Sequence, residues 1–141
     1  MNRYMPIIRK VTKVKEISPS QQIWTLYYKI SAVLSPRVFT VLQVDHLDAT
    51  DASRRIGTIV SIPIDLSSDP ELAKLEEKGV KGHYVSVEQL VELESGTVRW
   101  TMATASTPGG VIPDAVTNAS LPGEIAKDVP QFMKWLQQET R

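Results

Sequence analysis

The order of patterns along the chain predicts an α+β fold, an antiparallel sheet of about six strands with a long C-terminal helix packed on one face. Three observations carry this. Short runs of apolar/polar alternation follow one another, ending with Val98, Trp100 and Met102, and each reads as a strand with one buried side. Turn chemistry separates them at Ser18-Pro19-Ser20, Ser35-Pro36 and Glu94-Ser95-Gly96. Last, Ile125, Val129, Phe132, Met133 and Leu136 recur at spacings of three and four, one stripe of an amphipathic helix. Consecutive strands closed by a helix place that helix on one face of an antiparallel sheet.

Taken in order, Ile7 to Ile17 mixes β-branched residues with Arg9, Lys10, Lys13 and Lys15. This is an edge strand, since lysines on an edge oppose sheet-to-sheet association. The same basic strip admits transient membrane contact. Ile23 to Ile30 follows, with Trp24, Leu26, Tyr28 and Ile30 on one face and Thr25, Tyr27 and Lys29 on the other. Arg37 to Val44 forms the next strand, and His46 to Arg55 reads as a polar loop. Asp45, Asp48 and Asp51 recur there, but the glycine and distal glutamate of a calcium loop are missing, so no metal is expected. Ile56 to Ile64 is strand-like up to Pro63. Between Ser67 and Gly79, Ser68 or Asp69 caps a short helix with Pro70 at its first position. Val80 to Leu93 turns through Glu94-Ser95-Gly96 into Val98 to Ala103. A polar Gly-Gly turn (Ser106 to Gly110) then leads into the terminal helix. Pro122-Gly123 and Pro130 predict two segments or a kink near residues 121 to 124.

The 141 residues suit a single domain, 1–141, with a core that needs no covalent staples. Sixteen basic residues balance sixteen acidic ones, which gives no electrostatic argument for nucleic acid. The lack of cysteine excludes disulfides, thiolate metal sites and a cysteine nucleophile. No apolar run approaches the ~20 residues that span a bilayer. The first residues, MNRYMPIIRKV, lack the apolar core of a signal peptide, so a cytoplasmic location is expected.

Ser35-Pro36-Arg37-Val38-Phe39 is similar to the strand start common in START domains. Gly109-Gly110-Val111-Ile112-Pro113, with Asn118 and Leu121-Pro122 after it, resembles the START segment in which a Gly-rich turn and a proline open the last helix. Tyr84-Val85-Ser86-Val87-Glu88, Trp100-Thr101-Met102-Ala103-Thr104 and Ile125-Ala126-Lys127-Asp128-Val129-Pro130 resemble an uncharacterised, largely fungal START-like family. The matches cover roughly residues 35 to 136 and imply a START-like, helix-grip fold (that of the birch-pollen allergen). Such domains begin with a strand and helices ahead of the first strand seen here. The amino-terminal part of the usual fold is therefore expected to be missing or shortened, and the grip open or completed by a second chain. An open sheet edge invites a partner, so a homodimer is expected.

The resemblance implies a cavity between sheet and C-terminal helix that binds a lipid or other hydrophobic small molecule. Trp24, Tyr28, Phe39, Trp100, Met102, Phe132 and Met133 are the candidate apolar lining, with Trp135 in the same inventory. Arg37 shares a face with Phe39 and Val41. A guanidinium among apolar groups needs a carboxylate or a ligand oxygen, so it either forms a structural ion pair, with Glu88 or Asp65, or fixes the ligand's polar head. The alternative is a polyketide-cyclase- or isomerase-like enzyme using the same cavity, with His83, Tyr84 and Glu88 as acid–base candidates beside Arg37. No phosphate loop, nucleophile elbow or zinc motif is present, and no cofactor is expected.

Overall fold

The computed structural model describes residues 5–140, apart from the side chains of Asp114 and Thr117. Six strands form one sheet in chain order: β1 (Ile8–Ser18), β2 (Gln21–Tyr28), β3 (Arg37–Asp48), β4 (Ile56–Pro63), β5 (Val80–Glu92) and β6 (Val98–Thr107). Helix α1 (Pro70–Ala73) lies between β4 and β5, and α2 (Asp114–Glu139) closes the chain. The α+β architecture read from the alternation is the one observed.

Neighbouring strands pair antiparallel, with one exception. β4 ends at Pro63, which lacks the N–H to continue a ladder, and its partner Val41 lies well inside β3. The start of β3 is left open, and β5 fills it with a short parallel pairing of Arg37, Val38 and Phe39 to Val80, Lys81 and Gly82. Gly79 and Gly82 permit the approach: a Cβ at position 79 would stand 2.8 Å from the Pro36 carbonyl oxygen. This junction brings Arg37 and Phe39 beside Tyr84.

β3 extends to Asp48, so His46, Leu47 and Asp48 belong to the strand and not to the loop expected from their polarity. Ile56, Gly57 and Thr58 give them ladder partners, and exposed strand ends tolerate polar side chains. Asp48 and Asp51 then shape the loop themselves. Thr50 donates its backbone N–H and hydroxyl to Asp48, and Ser53 does the same for Asp51. These hydrogen bonds hold both carboxyls below the ordinary aspartate value.

Alternation divides the sheet into two faces. The convex face of β2 and β3 carries Ile23, Thr25, Val38 and Thr40, all buried. The segment between β4 and β5 packs there: Asp69 caps α1 by accepting from Glu71 and Leu72, and Leu66 is buried. Thr40 donates to Glu76, whose carboxylate also meets Lys81 at 3.0 Å. The concave face carries Trp24, Leu26 and Tyr28 from β2, Arg37, Phe39 and Val41 from β3, and Tyr84, Ser86 and Glu88 from β5. Trp100 and Met102 of β6 continue it.

Helix α2 runs unbroken through Pro122 and Pro130, not as two segments. Both prolines are exposed, as are residues 118 and 126, whose carbonyls lose a donor, so water can satisfy what the prolines remove. The docked stripe also differs from the expected one. Leu121, Ile125, Asp128, Phe132 and Trp135 are half-buried, while Val129, Met133 and Leu136 are 43%, 44% and 37% exposed. The reason is the seat. Trp100 meets Phe132 edge-on at 5.5 Å, and Phe132 meets Trp135 at 5.7 Å, so the aromatic contact with β6 sets the helix rotation.

Candidate functional site

The concave face is organised by two aromatic groups. At one end Phe39 lies between Tyr28, edge-on at 5.2 Å, and Tyr84 at 5.7 Å. Gly82 makes this possible, because a Cβ there would stand 2.6 Å from the Phe39 ring. The other group is Trp100 with Phe132 and Trp135, which fastens α2. On the β1–β3 side lies an open hollow of about 220 Å³, lined by Val11, Trp24, Leu26, Val41, Gln43 and Tyr84. Among the described residues, every one that lines the hollow belongs to the sheet and none to α2. Lys13 stands over the Trp24 ring at 5.4 Å, a cation on an aromatic face.

Arg37 is 3% exposed at the Tyr28 end of this face. Its Nη1 donates to the Ser35 carbonyl, and its buried Nε has no hydrogen-bond partner. The Gly-Gly turn covers it. Gly109 and Gly110 both have positive φ (68° and 70°), and a Cβ at position 110 would stand 3.4 Å from Nη2. Neither expected partner is available. Asp65 accepts from Ser67 and faces Lys81, and Glu88 accepts the Trp100 indole N–H at 3.0 Å. The Trp24 indole nitrogen is likewise buried without a partner.

Glu88 sits on β5 toward α2. Burial pushes its carboxyl above the ordinary value, the Trp100 hydrogen bond pulls it down in part, and the Asp128 carboxylate on α2 pushes it up further. Asp128 is raised as well, by burial and then by Glu124.

Of the residues singled out in the sequence, Trp24, Tyr28, Arg37, Phe39, Tyr84, Glu88, Trp100 and Met102 share the concave face. Phe132 reaches it from α2, and Met133 faces outward. His83 alternates with Tyr84 and is exposed on the opposite face, so His83, Tyr84 and Glu88 do not converge on one point. Val11, Leu26, Val41 and Gln43 complete the hollow. Leu26 and Val41 follow from the alternation that marks Trp24 and Phe39. Val11 does not, because β1 pairs with irregular register.

A six-stranded sheet with a helix laid at its concave side defines the START-like class of α+β domains. Among solved structures the chain is similar to the human StarD13 (DLC2) lipid transfer and protein localization domain, with a TM-score of 0.62 and 19% identity. The match covers 79% of this chain and 53% of that one, so the chain spans about half the length of that domain. The chain belongs to the family described as Protein of unknown function (DUF3074), whose profile matches residues 1–136. No curated protein matches it. Among the described residues, no helix is long and apolar enough to cross a membrane.

Proposed function

We propose that this chain binds a lipid or other hydrophobic small molecule on the concave face of its sheet. The observation that carries this reading is the apolar hollow beside Trp24, open to solvent and bordered by aromatic rings and few polar groups. Ligand sites share this apolar lining with few polar groups, and transfer of apolar surface from water would supply most of the affinity at about 25 cal/mol per Å². The likeness to a lipid-transfer domain in fold agrees with it. Native mass spectrometry of the purified chain tests it. A co-purifying apolar molecule is expected, and a chain that is empty and binds no added amphiphile defeats the reading.

Ligand exchange is assigned to the end of the sheet where β2 meets β3 and β6 meets α2. Val33 and Val111 protrude there at 93% and 94% exposure, with Lys29 and Lys78 exposed nearby, a composition suited to transient contact with an anionic bilayer. The homodimer belongs to the same proposal, because the outer edges of β1 and β6 pair with no other described strand. Light scattering at high concentration tests it, and a monomer there removes the dimer.

A further inference from the structure

The two outer edges of the sheet differ in how they are protected. β1 carries Arg9, Lys10, Lys13 and Lys15, and its pairing slips between Ile8 and Lys10, Lys13 and Lys15, and Glu16 and Ser18. Charge and irregular register keep an edge from recruiting another strand. β6 has neither protection. It pairs with β5 in unbroken register from Val98 to Thr107, with no proline and a single charged residue, Arg99. At the hairpin Leu93 donates to the Thr97 carbonyl, while Glu92 donates the other way, to Arg55. Antiparallel bonding alternates, so Arg99, Thr101, Ala103, Ala105 and Thr107 bond to β5. Val98, Trp100, Met102, Thr104 and Ser106 therefore turn their N–H and C=O groups outward. Among the described residues no other backbone group meets them.

We infer that the outward edge of β6 is a self-association surface, on which a second copy adds its own β6 antiparallel about a two-fold axis at Met102. This rests on the homodimer proposed above and adds its surface and register. The two-fold keeps the concave faces on one side, and its register centred on Met102 pairs every outward residue. Val98 then meets Ser106, Trp100 meets Thr104 and Met102 meets its own copy, with about ten hydrogen bonds. A shift to Ala103 sets Val98 against Pro108, which has no N–H, and a shift to Thr101 sets Ser106 against the turn at Gly96. Charge agrees with the Met102 register. Arg99 faces Ala105 of the second copy, so the two guanidinium groups lie ~20 Å apart along the strands and like charges are not opposed. Its apolar stem lies toward a shallow hollow of about 290 Å³ lined by Val85, Val87, Ala103 and Ala105, with Ser86 and Thr104. Helix α2 rides over the β5–β6 pair, with Phe132 on Trp100 and Asp128 acting on Glu88. Half a strand spacing separates β6 from the axis and another half separates it from the helix, so the two α2 helices stand ~10 Å apart, a helix-packing distance. That spacing lets the exposed Val129, Met133 and Leu136 pack against the second helix.

The chain has no cysteine, so one introduced thiol reports the register. In Met102→Cys the two thiols sit on directly opposed residues with Cα atoms ~5.5 Å apart, within the span of a disulfide. A cross-linked dimer is expected on a non-reducing gel after mild oxidation. Ala103 is exposed in the single chain, and Ala103→Lys brings two ammonium groups together beside the axis. Sedimentation equilibrium is expected to show its dimer dissociating at about tenfold higher concentration than the wild type. Ile17→Lys, on the β1 edge, is expected to leave that concentration unchanged. A dimer that resists Ala103→Lys, does not cross-link through Met102→Cys and is broken by Ile17→Lys overturns β6 as the surface and leaves the dimer standing on β1. A wild-type chain that stays monomeric at high concentration defeats both the dimer and this surface. Amide hydrogen exchange on the wild type decides the matter where a variant does not fold. The amides of Trp100, Met102 and Thr104 are expected to gain protection as concentration rises through the dimerisation range, and protection that does not change across that range overturns the β6 pairing.

Discussion

The Trp100 indole N–H donates to Glu88 at 3.0 Å, while Asp128 on α2 brings a second negative charge toward that acid. Helix and sheet thus meet around carboxyls that burial pushes upward, with Glu124 behind Asp128 and Lys127 engaged by Glu124 at 2.7 Å. A carboxyl raised in the folded state favours its protonated form there. Its contribution is fully present below the ordinary value of about 4 and is lost as pH rises through the higher folded value.

Helix docking should therefore be tighter in mildly acidic buffer than at neutral pH. Amide hydrogen exchange across α2, corrected for the intrinsic pH dependence, reads this locally. A global melt would not, because Asp48, Asp51, Asp65 and Glu92 are lowered by their hydrogen bonds and lose stability as pH falls. Glu88→Gln keeps an acceptor for Trp100 and removes the charge, so it should reduce the pH dependence of α2. An unchanged dependence would show that these acids do not govern docking.

The contact between Gly82 and Phe39 gives a stability prediction. A methyl at position 82 would stand 2.6 Å from the ring and 3.1 Å from the Thr107 carbonyl, so both β6 and Phe39 resist it. Overpacking of this kind costs about 1–3 kcal/mol. Gly82→Ala should lower the urea midpoint accordingly and disturb Tyr84. An unshifted midpoint would mean that the ring moves aside freely.

Strand order and faces were legible because alternation and turn residues are local properties. Trp24 with Tyr28, Arg37 with Phe39, and Trp100 with Met102 could each be set on one face of their own strand before the strands were paired. What sequence could not supply was pairing. The parallel contact of Arg37 with Val80 depends on where β4 stops, and the neighbourhood of Val11 depends on irregular register in β1. The helix stripe departs from the expected one for a related reason. Periodicity gives an apolar arc, but which edge of it is covered depends on Trp100, a residue of another element. His83 shows the limit in the other direction, since alternation alone allowed either face.

Val33 and Val111 protrude from adjacent turns at the end of the sheet that holds Arg37. Val33→Asp and Val111→Asp should each weaken association with vesicles containing anionic phospholipid, read by co-sedimentation, and the pair should weaken it more. Neither side chain is buried, so stability should change by no more than about 0.5 kcal/mol. Vesicle association that is indifferent to both substitutions would remove this end of the sheet as the contact.

Pro130 lies inside α2 on an exposed turn, between Asp128 and the Phe132 contact with Trp100. It denies a donor to the carbonyl of Ala126, and proline within a helix is about 3 kcal/mol less favourable than alanine. The opposing effect, the restriction proline places on the unfolded chain, is smaller at about 0.4–1 kcal/mol. The helical term wins, so Pro130→Ala should raise both the far-ultraviolet helical signal and the urea midpoint. Pro122→Ala should do the same less strongly, because Gly123 beside it still weakens that turn. An unchanged midpoint would mean that the proline costs the folded helix no more than it restricts the unfolded chain.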